Sequence, residues 1–212
     1  MKYPSPWILN GQGIILTHNF KKSWLIKNGF IPEHLQRQFM GGLSFTMLVN
    51  YTESNCGPYK ELLFIPGLFL INKRYHFMIT KIYVDSTDSM SSGRSNWGIP
   101  KELAEINWAE TGSTITFNVQ QNNQFVFDAE FRSNPVKFPV TSQLSPFKFY
   151  QEMEDHSYVF KPKGSGQGTI CKLKKLHSVS PQFPIFPEGK LINCLHIKKF
   201  NLAFPSSKIE RL

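Results

Sequence analysis

Apolar positions along this chain recur mainly at a spacing of two or in short continuous runs, and seldom at the spacing of an amphipathic helix. Residues 7–20 start at Trp7 and pass through Gly11 and Gly13 to Ile14-Ile15-Leu16. That pattern predicts a strand with a turn or a close backbone approach near its start. Ile31-Pro32-Glu33-His34-Leu35 predicts a short helix with proline at an early position, ended by Gly41-Gly42. Leu43 to Tyr51 predicts the next strand. Tyr59 to Ile71 follows, with Pro66-Gly67 as a bulge or turn, and then Arg74 to Val84, alternating at Phe77, Ile79 and Lys81. Asp85-Ser86 is an N-cap signal for a helix that runs to Trp97 and stops at Gly98-Ile99-Pro100. Ser113 to Gln120 and Phe125 to Arg132 predict a hairpin turning at Gln121-Asn122-Asn123-Gln124. Tyr158 to Lys163 and Thr169 to His177 predict a second hairpin around Gly164-Ser165-Gly166-Gln167-Gly168, and Leu191 to Phe204 a last strand.

Roughly eight or nine strands and two short helices, joined by hairpins, predict a mainly β fold. A largely antiparallel sheet of that many strands is expected to curl into a closed or conical β-barrel or a sandwich. No composition shift divides the chain, so residues 1–212 are expected to form a single domain. Composition supports this: 41% of residues are hydrophobic, and Phe supplies 19 of the aromatic positions. Phe at that density favours a sheet core over a helix bundle.

No membrane span is expected, because the longest apolar run, Leu62 to Ile71, is interrupted by Pro66 and Gly67 and is far short of about 20 residues. The N-terminus lacks a basic region followed by an apolar stretch. Cys56, Cys171 and Cys194 are an odd number at wide spacing. They argue for structural thiols in a reducing, cytoplasmic setting. The net charge of +9 is concentrated toward the C-terminus. Yet the lysines there alternate with apolar residues, as in Cys171-Lys172-Leu173-Lys174, which predicts a strand with one solvated face rather than a nucleic-acid surface. The histidines lie far apart, and no His, Cys or acidic pair has zinc-ligand spacing. Neither a metal nor a cofactor is expected.

One region carries chemistry. Ile82-Tyr83-Val84-Asp85-Ser86 leads into Gly93-Arg94-Ser95-Asn96-Trp97-Gly98-Ile99-Pro100-Lys101-Glu102-Leu103, and upstream lie Tyr51-Thr52-Glu53-Ser54 and Gly57-Pro58-Tyr59-Lys60-Glu61. The combination resembles the acetoacetate decarboxylase family. There a Gly-Arg pair precedes a Pro-Lys-Lys-Leu run whose first lysine forms a Schiff base with substrate. The resemblance implies a cone-like antiparallel barrel around a small pocket, with a small keto acid or related carbonyl compound as ligand. It assigns the Schiff-base position to Lys101 and a pocket carboxylate to Glu53. Arg94, Trp97 and Gln12 are then candidates for substrate binding, with Gln12 in the region where the family has an arginine. It also implies lyase chemistry of decarboxylase or aldolase type and a homo-oligomer. The chain departs from the pattern at Glu102, where the family has its second lysine. A barrel of the same fold that binds a small molecule without turning it over is the alternative.

Lys101 sets a physical requirement. Only a neutral amine attacks a carbonyl, and at an ordinary lysine pKa about 0.04% is neutral at pH 7. Burial in an apolar pocket supplies the free amine by depressing that pKa. Acetoacetate decarboxylase is itself the reference case for such a lysine. Glu102 would counteract this if it touched the amine. Neighbours in an extended segment point to opposite faces, which predicts that Glu102 faces away.

Overall fold

The computed structural model describes residues 2–143, 146–186 and 189–212. Strands account for 59% of it. In chain order they are β1 (Trp7–Asn19), β2 (Phe39–Gly41), β3 (Ser44–Glu53), β4 (Tyr59–Ile65), β5 (Leu68–Ile71), β6 (Arg74–Phe77), β7 (Lys81–Val84), β8 (Lys101–Leu103) and β9 (Glu105–Thr111). There follow β10 (Thr114–Gln121), β11 (Gln124–Ser133), β12 (Phe138–Thr141), β13 (Lys148–Met153), β14 (His156–Phe160), β15 (Lys163–Ser178), β16 (Lys190–Phe204) and β17 (Lys208–Arg211). Two α-helices are present among the described residues, α1 (Lys22–Asn28) and α2 (Thr87–Trp97).

The larger sheet has the order β8-β7-β4-β3-β1-β16-β15-β11-β10-β9, with β12 added beside β15. It curls into a nearly closed barrel. The smaller sheet runs β17-β14-β13-β6-β5-β2. Pairing is antiparallel except between β7 and β8 and between β6 and β13. A parallel pair of neighbouring strands needs a crossover. For β7 and β8 that crossover is α2.

Alternation along the central strands divides the interior in two. Ile14, Leu16, Leu48, Leu62, Phe64 and Tyr83 face a core shared with Phe117, Phe127, Phe131 and Phe183. Trp7, Leu9, Val49, Tyr51, Tyr59, Leu63 and Ile82 face the other way, toward Trp97, Ile99 and Phe160. The second space, between the barrel wall and the smaller sheet, is only partly filled.

Several sequence expectations are corrected here. The helix expected at Ile31–Leu35 is a single 3-10 turn at Glu33–Leu35, and α1 lies upstream where no helix was predicted. The strand expected over Tyr59–Ile71 breaks at Pro66-Gly67, and its two halves, β4 and β5, lie in different sheets. Arg74–Val84 likewise divides into β6 and β7. The second hairpin does not exist. Gly164–Gly168 lies inside the long strand β15, which pairs with β16 and β12, while β14 pairs with β13 and β17. These glycines serve close approach instead of a turn. A Cβ on Gly166 would lie 2.2 Å from the Lys199 carbonyl oxygen, as one on Gly11 would lie 2.3 Å from that of Asn50. Cys171 and Cys194, far apart in sequence, meet on adjacent strands with their sulfurs 2.7 Å apart.

Candidate active site

Helix α2 begins at an N-cap supplied by Ser86, whose hydroxyl accepts from the Ser89 amide at 3.2 Å. It ends at Gly98, whose φ of 62° is the left-handed turn that an ordinary side chain resists. Ile99-Pro100 then turns the chain into β8, where Lys101 pairs in register with Ile82. Arg94 fixes that geometry: its Nε donates to the Lys101 carbonyl at 2.9 Å. Gly93 makes room, since a Cβ there would fall 2.7 Å from Lys101 Cδ and 2.8 Å from Cε. The lysine side chain thus crosses the helix face and ends buried, with 4% of the residue exposed.

The amine meets a carboxylate that the sequence reading missed. Lys101 Nζ donates to Glu61 Oε2 at 2.8 Å and to Ser89 Oγ at 3.0 Å, and lies 5.0 Å from the centroid of the Tyr59 ring. Glu61 is as buried as the lysine. Tyr51 donates to its other oxygen at 3.2 Å. Tyr51 and Tyr59 face each other across β3 and β4, their ring centroids 4.6 Å apart. Burial, reinforced by the Glu61 charge, pushes both phenols well above their usual range, so both remain protonated donors. Burial also raises the nearby Cys56 thiol, although Ser54 and Lys101 pull it down.

This polar group forms one wall of a cavity of about 600 Å³. The rest is apolar: Trp7, Leu9, Met47, Leu63, Ile99 and Phe204 are typical of its lining. Trp97 lines it as well, with its indole N–H spent on the Pro205 carbonyl at 2.7 Å. At the far side the lining passes to the exposed residues Thr141, Ser142 and Ser165.

Lys101 and Trp97 therefore share one cavity, and the other candidates do not join them. Glu53 is exposed at the end of β3, where it accepts from Asn10 Nδ2 at 2.9 Å. The carboxylate beside the amine belongs to Glu61, one strand over. Arg94 is exposed and acts on the backbone of Lys101. Gln12 is absent from the cavity wall: its amide donates to Glu110 and its oxygen lies 3.0 Å from His196 Nε2. Glu102 points away from the amine and holds Lys81 at 2.6 Å and Gln121 at 3.2 Å. Glu61 had a signal in the sequence. It is a lone charge in step with Tyr59, Leu63 and Ile65 within an apolar strand, and a buried charge needs a partner. Among the described residues no group of three or more His, Cys, Asp or Glu is placed to hold a metal ion, and no helix is long and apolar enough to cross a membrane.

The barrel thus encloses an apolar cavity whose wall carries a buried lysine–carboxylate pair. The model of the acetoacetate decarboxylase (ADC) family matches residues 2–180, and the chain belongs to that family. Acetoacetate decarboxylase from Legionella pneumophila superposes with a TM-score of 0.70 at 14% identity, covering 98% of this chain and 88% of that one. The enduracididine biosynthesis enzyme MppR, in complex with pyruvate, gives 0.66 at 11% identity over 97% of this chain and 90% of its own. An acetoacetate decarboxylase-like enzyme from Sphingomonas wittichii gives 0.68 at 10% identity over 98% and 93%. In sequence, the rice (Oryza sativa subsp. japonica) protein NEOXANTHIN-DEFICIENT 1 is 23% identical over 57% of this chain. The chain spans 40% of that relative's length.

Proposed function

We propose that this protein binds a carbonyl compound in the apolar cavity and converts it through a Schiff base on Lys101. The observation that carries the reading is the Lys101 amine, buried in the cavity wall 2.8 Å from a single carboxylate, Glu61. Glu61 is placed to take a proton from the amine. The freed Nζ attacks the carbonyl carbon and a C–N bond forms. The carbonyl oxygen takes one proton from the attacking nitrogen and a second from the acid that Glu61 has become, and leaves as water. The nitrogen keeps its last proton, so loss of water gives an iminium. It accepts the electron pair released when a carboxyl group leaves as carbon dioxide or when a proton leaves the α-carbon. Tyr51, Tyr59 and Ser89 supply hydroxyls around the same atoms. Capture of pyruvate by MppR supports carbonyl ligands in this fold.

The test is borohydride trapping. With a carbonyl ligand present, reduction is expected to leave one stable adduct, on the peptide that contains Lys101. Lys101→Arg keeps a cation opposite Glu61 but never offers a neutral nitrogen, so it is expected to fold and to give no adduct. Label spread over many lysines, unchanged by Lys101→Arg, would sink the proposal. The barrel would then stand as a binding protein. A specific observation favours that second reading: the amine is engaged in an ion pair with Glu61.

A further inference from the structure

We infer that the ligand of this cavity is an elongated, uncharged, apolar carbonyl compound and not a small keto acid. This rests on the Lys101 reading for the position of the carbonyl group. Three features of the cavity carry it.

The first is charge. A keto acid brings a carboxylate that needs a cation. Among the described residues that line the cavity, Lys101 is the only cation, and Glu61 already occupies it. Arg94 and Gln12, the sequence candidates for holding a carboxylate, are both turned to other partners. An anion at the amine would also face the Glu61 charge in surroundings that screen it poorly.

The second is size. About 600 Å³ lies within the range of about 300–1,000 Å³ that encloses drug-sized ligands. A four-carbon acid would leave most of that space without contacts. A further cavity of about 270 Å³ adjoins it, sharing Met47, Ile65, Ser142, Phe149 and Pro162 and lined beyond them by Phe45, Phe77, Phe147 and the half-buried Lys161, which does not line the main cavity. An extended chain finds largely apolar wall along both.

The third is polarity along the length. Polar side chains gather at the buried end (Lys101, Glu61, Tyr51, Tyr59) and at the exposed end (Thr141, Ser142, Ser165), with hydrocarbon walls between. A molecule with its carbonyl at one end and a hydrocarbon body behind it matches that order.

The experiment displaces a neutral fluorescent reporter, N-phenyl-1-naphthylamine, with methyl ketones of increasing length from butan-2-one to decan-2-one, and with pyruvate and acetoacetate. Each added methylene is expected to tighten binding about fourfold, the factor set by its transfer out of water. Pyruvate and acetoacetate are expected to displace the reporter at least about a hundredfold less effectively than decan-2-one. Met47→Trp, which fills the junction of the two cavities, is expected to weaken decan-2-one by tenfold or more and to spare hexan-2-one. If that variant fails to fold, Met47→Phe serves the same purpose. Affinity independent of chain length, or pyruvate displacing as well as decan-2-one, would overturn the inference. Borohydride trapping of the same ligands separates it from the Lys101 reading. Chain-length dependence without an adduct leaves the ligand class standing and removes the imine. An adduct with pyruvate alone does the reverse.

Discussion

The packing of Lys101 explains the Gly-Arg pair that precedes it. Glycine at position 93 leaves the space that the lysine methylenes fill, and Arg94 holds the lysine backbone from the far side. Gly93→Ala should therefore cost both stability and reactivity. Alanine is the better helix former by about 1 kcal/mol, but its methyl group overlaps the buried lysine methylenes and draws the amine away from Glu61. The melting temperature is expected to fall, and adduct yield in borohydride trapping is expected to fall about tenfold or more. Equal yield in both proteins would show that the glycine does not position the lysine. Glu61→Gln probes the partner. It leaves a buried ammonium without a counter-charge, a loss of about 3–5 kcal/mol for buried pairs, and a large fall in the urea midpoint is the expected readout. At this scale the sequence led to Lys101 and Trp97, because a residue after a turn and a residue on a short helix keep their local geometry. It led to Glu53 instead of Glu61 because both are in step with residues that line the cavity, and only the fold shows that Glu53 lies at the exposed end of its strand, beyond the pairing with β4. Gln12 came from the resemblance alone: it sits between Gly11 and Gly13, and the alternation of β1 that puts Trp7, Leu9, Gly13 and Ile15 on the cavity wall turns it to the other face.

Helix α2 was legible end to end. Its Ser86 cap and Gly98 stop are local chemistry, and both stand where the sequence put them. Gly98→Ala is expected to destabilise the protein by about 1–3 kcal/mol, as left-handed strain does. A new methyl group would also fall 2.4 Å from Tyr158 Cδ2. A chemical denaturation curve with an unchanged midpoint would contradict this. The long strands were legible as strands, but β2, β9, β12, β13 and β17 were not expected, and the partners were not legible. Alternation reports that a segment is extended and says nothing about which sheet receives it. Pro66-Gly67 therefore read as a bulge or turn, and it is the point where the chain passes from one sheet to the other. The glycines of β15 misled in the opposite direction. Runs of glycine mark turns and tight backbone contacts alike, and only the neighbour, the Lys199 carbonyl, decides between them.

Over the whole molecule, acid stability should be set by three buried histidines, His18, His196 and His76, the last with its pKa also lowered by burial. Burial holds His18 down to about 4 and His196 down to about 4. In the unfolded chain each takes up its proton near pH 6.5. Between those values the unfolded state binds more protons than the folded one. Their contribution is thus full above about pH 6.5 and is lost as pH falls toward 4. Together they account for a loss on the order of several kcal/mol across that window. The urea midpoint is expected to drop steadily from pH 7.5 to pH 5. His18 lies against Phe186, with ring centroids 4.8 Å apart, so His18→Phe is expected to flatten part of that slope. An identical slope in the variant would assign the effect to other groups.

The parallel pairing of β7 with β8 has a consequence for divergence. Residues 81–103 close on themselves as strand, helix and strand, and this short loop of chain carries the amine, Ser89, Gly93 and Arg94. The walls of the cavity come from almost everywhere else, from Trp7 to Phe204. The amine and most of the walls are thereby set by different stretches of sequence, with Glu61 on β4 reaching the amine from outside the segment. A lineage can lengthen or reshape its container by exchanging wall residues while the segment that carries the amine stays intact. It can equally give up the amine and keep the container.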